Sequence, residues 1–141
     1  MANIIPDAFK SELLSGTHNF ANGGNTFKIA LFTDISGYST SSTAYSTTNE
    51  VSSSGTSYTA GGNALDSQAV SVASNTALVD FADEVFSSVT LSAVGAVIYN
   101  DTNGDKLVVV LDFGGTKTAT NGDFTIQFPA AGASTAIIRI A

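Results

Sequence analysis

The chain is predicted to be mainly β: an antiparallel β-sandwich or barrel with a short N-terminal helix and a Ser/Thr-rich extended loop or arm. Three observations carry this reading. From Ala69 onward, short apolar segments recur between glycine- and asparagine-containing turn signals, giving seven or so strands in all. Phe27, Ile29 and Leu31 alternate with Lys28 and Ala30, the period-two pattern of a strand. Only the first segment has helical spacing.

In that segment Pro6 suits the first helical position, Asp7 complements the positive helix end and Gly16 can stop the helix. Phe9 and Leu13 lie one turn apart, and with Leu14 they are expected to form one apolar stripe that docks on the chain's own domain or on a neighbouring subunit. Asn22-Gly-Gly-Asn25 is a turn before the strand from Thr26 to Thr33. Fifteen of the 24 residues from Ser36 to Thr59 are Ser or Thr, with Glu50 the single charge and Tyr38, Tyr45, Val51 and Tyr58 the main hydrophobic groups. A tract this polar does not readily offset the entropy of ordering. It reads either as a flexible loop or as an arm whose tyrosines order against a partner.

Further strands are expected at Val70–Ala73, Ala77–Phe81 and Val89–Tyr99, with Gly95 a bulge or close-packing point. Asn100 to Asp105 reads as a hairpin turn through Asn103-Gly104. Leu107 to Phe113 is a nearly continuous apolar run, as in a strand covered on both faces, and Gly114-Gly115 is expected to end it. Asn121-Gly122 makes another turn, Phe124–Phe128 alternates up to Pro129, and Thr135–Ile140 closes the sheet. All of this fits one domain, 1–141, divided into helix and linker (1–25), a Ser/Thr-rich loop or arm (34–66) and a β core (67–141).

Composition narrows function. Only 12% of the 141 residues are charged, against about 25% in an ordinary soluble domain. At 43% hydrophobic, a chain this size must leave small polar or apolar groups on its surface, which suits lasting contact with protein. The absence of cysteine excludes disulfide scaffolds, thiolate metal sites and thiol nucleophiles. A net charge of −7 with five scattered bases opposes a nucleic-acid partner. No apolar run approaches the roughly 18 residues of a membrane span, and the first residues have no positive export region, so a soluble protein made in a cytoplasm, with no evident secretion signal, is expected.

No residue pattern carries chemistry. His18, the only histidine, sits in a linker and reads as a surface or packing residue, and no Gly-x-Ser-x-Gly elbow accompanies it. Asp101, Asn103 and Asp105 have the odd-position oxygens that open a calcium loop, but Lys106 stands where glycine belongs. A plain hairpin turn is the preferred reading, with weak calcium binding at Asp101–Asp105 the alternative. Gly114-Gly-Thr-Lys-Thr118 lacks the spacing of a phosphate loop, and Asp80, Asp83 and Glu84 read as a solvated loop around a strand end. No catalytic, cofactor-binding or metal-ligating residue is assigned, and no cofactor is expected.

The order of segments along the chain nevertheless resembles a known family. The helix with Phe9, Leu13 and Leu14 leads to Phe27-Lys-Ile-Ala-Leu-Phe32 and Tyr58-Thr-Ala-Gly-Gly62. Ala96-Val-Ile-Tyr-Asn100, Asp112-Phe-Gly-Gly115, Gly122-Asp-Phe-Thr-Ile-Gln-Phe-Pro129 and Ile137-Ile-Arg-Ile140 follow. Nearly end to end, this is similar to small virion structural proteins of tailed bacteriophages. The resemblance implies a non-enzymatic capsid cement or decoration protein on the capsid exterior, bound to the major capsid protein and to copies of itself as a homotrimer. The alternative is a tail, baseplate or fibre-associated virion protein with an adhesin-like β domain, whose saccharide contacts would be Tyr38, Tyr45 and Tyr58. In the cement reading, the helix and Ser39–Thr59 are the expected contact elements, on a rigid β core.

Overall fold

A computed structural model describes residues 2–141. The elements are α1 (Asp7–Leu14), β1 (Phe27–Phe32), β2 (Asn63–Ala64), β3 (Ala69–Ala73), β4 (Thr76–Asp80), β5 (Glu84–Asn100), β6 (Lys106–Ile126) and β7 (Ile138–Ile140). All strand pairings are antiparallel and build a four-stranded sheet, β2-β1-β5-β6, and a three-stranded sheet, β3-β4-β7. The mainly β class with one short helix is as expected, and its form is sandwich-like.

β1 is central because both its faces are buried. Phe27, Ile29 and Leu31 enter the main core with Phe86, Ile98 and Leu111 of the large sheet and Val79 and Ile138 of the small one. Ala30 and Phe32 face the other way, into a second cluster with Val97, Tyr99, Leu107 and Val110. The alternation along β1 therefore does not mark a solvated face. The cover over the second face is the Ser/Thr-rich segment itself, through Ile35, Tyr38 and Tyr45, joined by Ile4 from the N-terminal end.

The segment is thus ordered on its own sheet, where a flexible loop or an arm ordered against a partner was expected. The segment wraps around the outer edge of β1. Thr33 donates its N–H to Asn49 O at 2.8 Å, Val51 to Leu31 O at 2.9 Å and Leu65 to Phe27 O at 2.8 Å. Val51, Tyr58 and Leu65 then turn into the main core. Dispersed hydrophobic anchors and edge hydrogen bonds supply what the polar composition lacks.

Other expectations need correction. Pro6 is the extended residue before α1 (ψ 148°), and the helix runs for eight residues. Phe9 is buried and Leu13 packs on the core, whereas Leu14 is 89% exposed. Five positions separate Phe9 from Leu14, which turns Leu14 roughly 140° away around the helix. Gly114-Gly115 and Asn121-Gly122 do not end strands. β6 runs through both as one strand: residues 113–116 bulge out of the ladder between the Gly95–Asp112 and Ala93–Lys117 pairs, and residues 120–121 between the Leu91–Ala119 and Val89–Gly122 pairs. The β5–β6 turn does carry two left-handed residues, but these are Gly104 (φ 68°) and Asp105 (φ 55°), one position later than expected. The closing strand is confined to Ile138–Ile140.

Gly95 is the expected close-packing point. A Cβ there would meet Leu111 O at 2.5 Å and the Ile35 Cδ1 atom at 2.8 Å. Gly62 is tighter still: at φ 78° it lies against β1, where a Cβ would meet Ile29 O at 1.8 Å.

Candidate functional site

Two polar clusters draw titratable side chains into the packed interior. The first joins α1, the linker and the β5–β6 turn. His18 is buried, its ring centroid 5.0 Å from that of Phe9 and 6.2 Å from that of Phe20. Its Nε2 donates to Glu12 Oε2 at 2.7 Å, and its Nδ1 accepts from Asn100 Nδ2 at 3.0 Å. The amide orientation of Asn100 is fixed because its Oδ1 accepts the N–H groups of Thr102 and Asn103, both at 3.1 Å. Asn100 can therefore only donate to the ring, which makes the imidazole the neutral Nε2–H tautomer. Burial pushes the His18 pKa below its ordinary 6.5, the Glu12 carboxylate pulls it back up, and Lys106 adds to the lowering. Both ring nitrogens are occupied, so neither is open to activate a nucleophile. The expected packing role fits this geometry.

The second cluster centres on Glu50. Its carboxylate accepts from the Tyr45 hydroxyl, from the Tyr58 hydroxyl at 2.8 Å and from Gly61 N–H at 2.6 Å. The Tyr58 oxygen also accepts Leu31 N–H at 3.0 Å, and Tyr99 donates to Gly61 O at 2.6 Å. Tyr45 stacks on Tyr99 with centroids 4.3 Å apart. Burial, with the nearby Glu50 charge, raises the pKa of Tyr45 and Tyr58; burial with Asp105 and Asp101 raises that of Tyr99. The Tyr58-Thr-Ala-Gly-Gly62 stretch is thus a lock that pins the Ser/Thr-rich loop to β1 and β5. Its tyrosines do not form an exposed platform: Tyr58 is 2% exposed, and Tyr38 shares its hydroxyl with Ser46 backbone at 3.3 Å.

The remaining candidates disperse. Asn103 turns its amide to Thr17 O at 2.6 Å and Asp101 faces Lys28 at 3.9 Å, so Asp101, Asn103 and Asp105 are not gathered round a common point. Among the described residues no three His, Cys, Asp or Glu side chains converge as a metal site. Asp83 accepts Phe128 N–H at 2.8 Å while Glu84 accepts from Asn63 at 3.1 Å, so these carboxylates brace different segments. Lys117 lies on exposed β6 beside an open cleft of about 520 Å³ whose walls include Phe113, Asp123, Phe124 and Phe128. Phe113 and Phe124 sit 5.9 Å apart there.

Apolar groups on the surface were expected from composition, but their positions were not. Val70, Val72 and Ile140 are 53%, 73% and 53% exposed, and Val70 and Ile140 border a groove of about 320 Å³ shared with Leu13 and Phe20. The available signal was an uncharged, valine-alternating strand with no lysine or proline to blunt its edge. No helix among the described residues is long and apolar enough to cross a membrane. No protein-family model, curated protein or solved structure matches the chain.

Proposed function

We propose that this chain is a non-enzymatic structural protein of a tailed-phage virion, acting as capsid cement that joins the major capsid protein and further copies of itself. The observation that carries the reading is a division of labour among side chains. His18, Glu50 and the tyrosines are committed to holding the fold together, whereas Leu14, Val70, Val72 and Ile140 are left in solvent. A surface poor in charge and dotted with apolar groups suits a standing protein contact, since charged residues are depleted at interface cores. The helix and the Ser/Thr-rich loop pack on the chain's own sheet, so contact with a capsid would use their outer surfaces and the small sheet.

Localisation in a particle reconstruction tests this. Density over capsomer junctions, together with capsids that lose heat and low-salt resistance when the gene is deleted, is the expected result. Density on the tail or baseplate, with loss of cell attachment, would favour the adhesin reading instead. The inward hydroxyls of Tyr45 and Tyr58 weigh against that alternative.

A further inference from the structure

We infer that β3 is a self-pairing edge through which two copies of this chain join their small sheets across a two-fold axis at Ser71. The inference stands on the edge itself and not on the capsid reading. β3 lies at the end of the order β3-β4-β7, with β4 its only strand partner among the described residues. Ala69, Val70, Ser71 and Val72 are all exposed and Ala73 half-buried, and none is charged.

Elsewhere the same molecule blunts its edges. Ile4 exchanges two backbone hydrogen bonds with Val110, at 2.9 and 2.8 Å, and Leu107 N–H reaches Thr43 O at 3.1 Å, which covers the first half of the β6 edge. β2 is two residues long, and β7 is three with Arg139 at its centre. β3 has none of the usual devices against edge-to-edge pairing.

The register makes β3 complementary to itself. Ser74 (φ 49°) and Asn75 (φ 64°) form a two-residue hairpin turn between β3 and β4. Such a turn makes its flanking pair, Ala73 and Thr76, hydrogen-bonded, and pairs then alternate along the ladder. Ala69, Ser71 and Ala73 therefore direct their backbone groups to β4, and Val70 and Val72 direct theirs to the open side. A second antiparallel β3 centred on Ser71 sets Val70 opposite Val72 of the other copy, and Val72 opposite its Val70. Every outward N–H and C=O of the two valines then finds a partner.

The side chains agree. Val70 and Val72 share a face with Ala77 and Ile140 through direct register, so pairing joins two exposed apolar rows into one. Asp80 lies opposite Ala69 one strand in from the edge, and Arg139 is two strands in, so no like charges meet across the seam. The seam is short, below the roughly 1,200 Å² of a standard interface, and a reversible dimer follows. Each copy carries a net charge of −7, so association should strengthen as salt screens it. On a capsid, a two-fold contact of this kind would link neighbouring clusters, distinct from contacts within a trimer.

The absence of native cysteine gives a clean test. Ser71→Cys places one thiol per copy at a non-hydrogen-bonded pair, where Cα atoms stand about 4.5 Å apart, within disulfide reach. Mild oxidation should yield covalent dimer from this variant well above the level from Ser87→Cys, at an exposed site on β5. Val72→Lys should shift wild-type dimer to monomer in sedimentation equilibrium and block crosslinking of Ser71→Cys, with melting temperature unchanged because Val72 is 73% exposed. Equal crosslinking of the two cysteine variants, or association unaffected by Val72→Lys, would overturn the inference. A trimer unaffected by Val72→Lys would do the same while leaving the capsid reading intact. Absence of the protein from capsids would remove that reading and leave the β3 pairing standing.

Discussion

Glu50 is the one charge in a 24-residue stretch, and its environment explains why it is there. Its two oxygens receive the hydroxyls of Tyr45 and Tyr58 and the N–H of Gly61, which ties three points of the Ser/Thr-rich loop together. Hydrogen bonds to a charged acceptor each contribute about 1.5–3 kcal/mol, and orphaned donors add a desolvation cost. Glu50→Ala should therefore lower stability by about 2–4 kcal/mol, measured as a shift of the urea midpoint with unchanged slope. Glu50→Gln keeps one carbonyl acceptor but turns an N–H₂ toward existing donors, so a loss of about 1–2 kcal/mol is expected. Sequence displayed Glu50 as an isolated charge, yet its partners lie up to 11 residues away and meet it only once the loop has wrapped β1. Asn100 was less legible: a fully buried amide at the end of an apolar run resembles any turn residue until Thr17, His18 and Asn25 surround it.

At the scale of elements, the reversal at Asn100–Asp105 was legible to within one position, the one at Ser74-Asn75 was not singled out, and two bulges carried the signal of turns. Asn100–Asp105 and Ser74-Asn75 are reversals, and both residues of each left-handed pair are small, polar or glycine. Gly114-Gly115 and Asn121-Gly122 carry the same local signal, but β5 pairs with β6 on both sides of each, so the extra residues bulge from one strand instead of ending it. Whether a left-handed residue makes a turn or a bulge depends on a partner strand that local sequence does not name. The strands with strong alternation or apolar runs, β1, β5 and the start of β6, were legible because burial imposes that pattern directly. Gly95 leaves no room for a side chain between the Leu111 carbonyl of β6 and Ile35. Gly95→Ala forces a methyl to within 2.5 Å of Leu111 O, and overpacking of this kind should cost about 1–3 kcal/mol. Thermal melts would register it as a lower transition, and Ile35→Val in the same chain should recover little, because the closest obstacle is backbone.

For the whole molecule, the two polar clusters bound the pH range of maximal stability from opposite sides. His18 is held neutral in the fold, with its pKa below the 6.5 of the unfolded chain. The unfolded state then binds the extra proton first, so stability is complete above about pH 6.5 and falls as pH drops below it, at no more than about 1.4 kcal/mol per pH unit. His18→Gln should flatten that limb of a melting-temperature profile even if it lowers the plateau. The tyrosines act in the other direction. All four, Tyr38, Tyr45, Tyr58 and Tyr99, have their pKa raised by burial from an ordinary value of 10.0. Above about pH 10 the unfolded chain releases phenolic protons that the folded chain keeps, so stability falls as pH rises. Because the hydroxyls of Tyr45, Tyr58 and Tyr99 meet through Glu50 and Gly61, their tyrosinate absorbance should stay low on titrating the native protein past pH 10. It should then appear in one step, together with loss of β circular dichroism. Gradual titration near pH 10 with the fold intact would show the hydroxyls to be solvent-facing and the Ser/Thr-rich loop to be detached from its sheet.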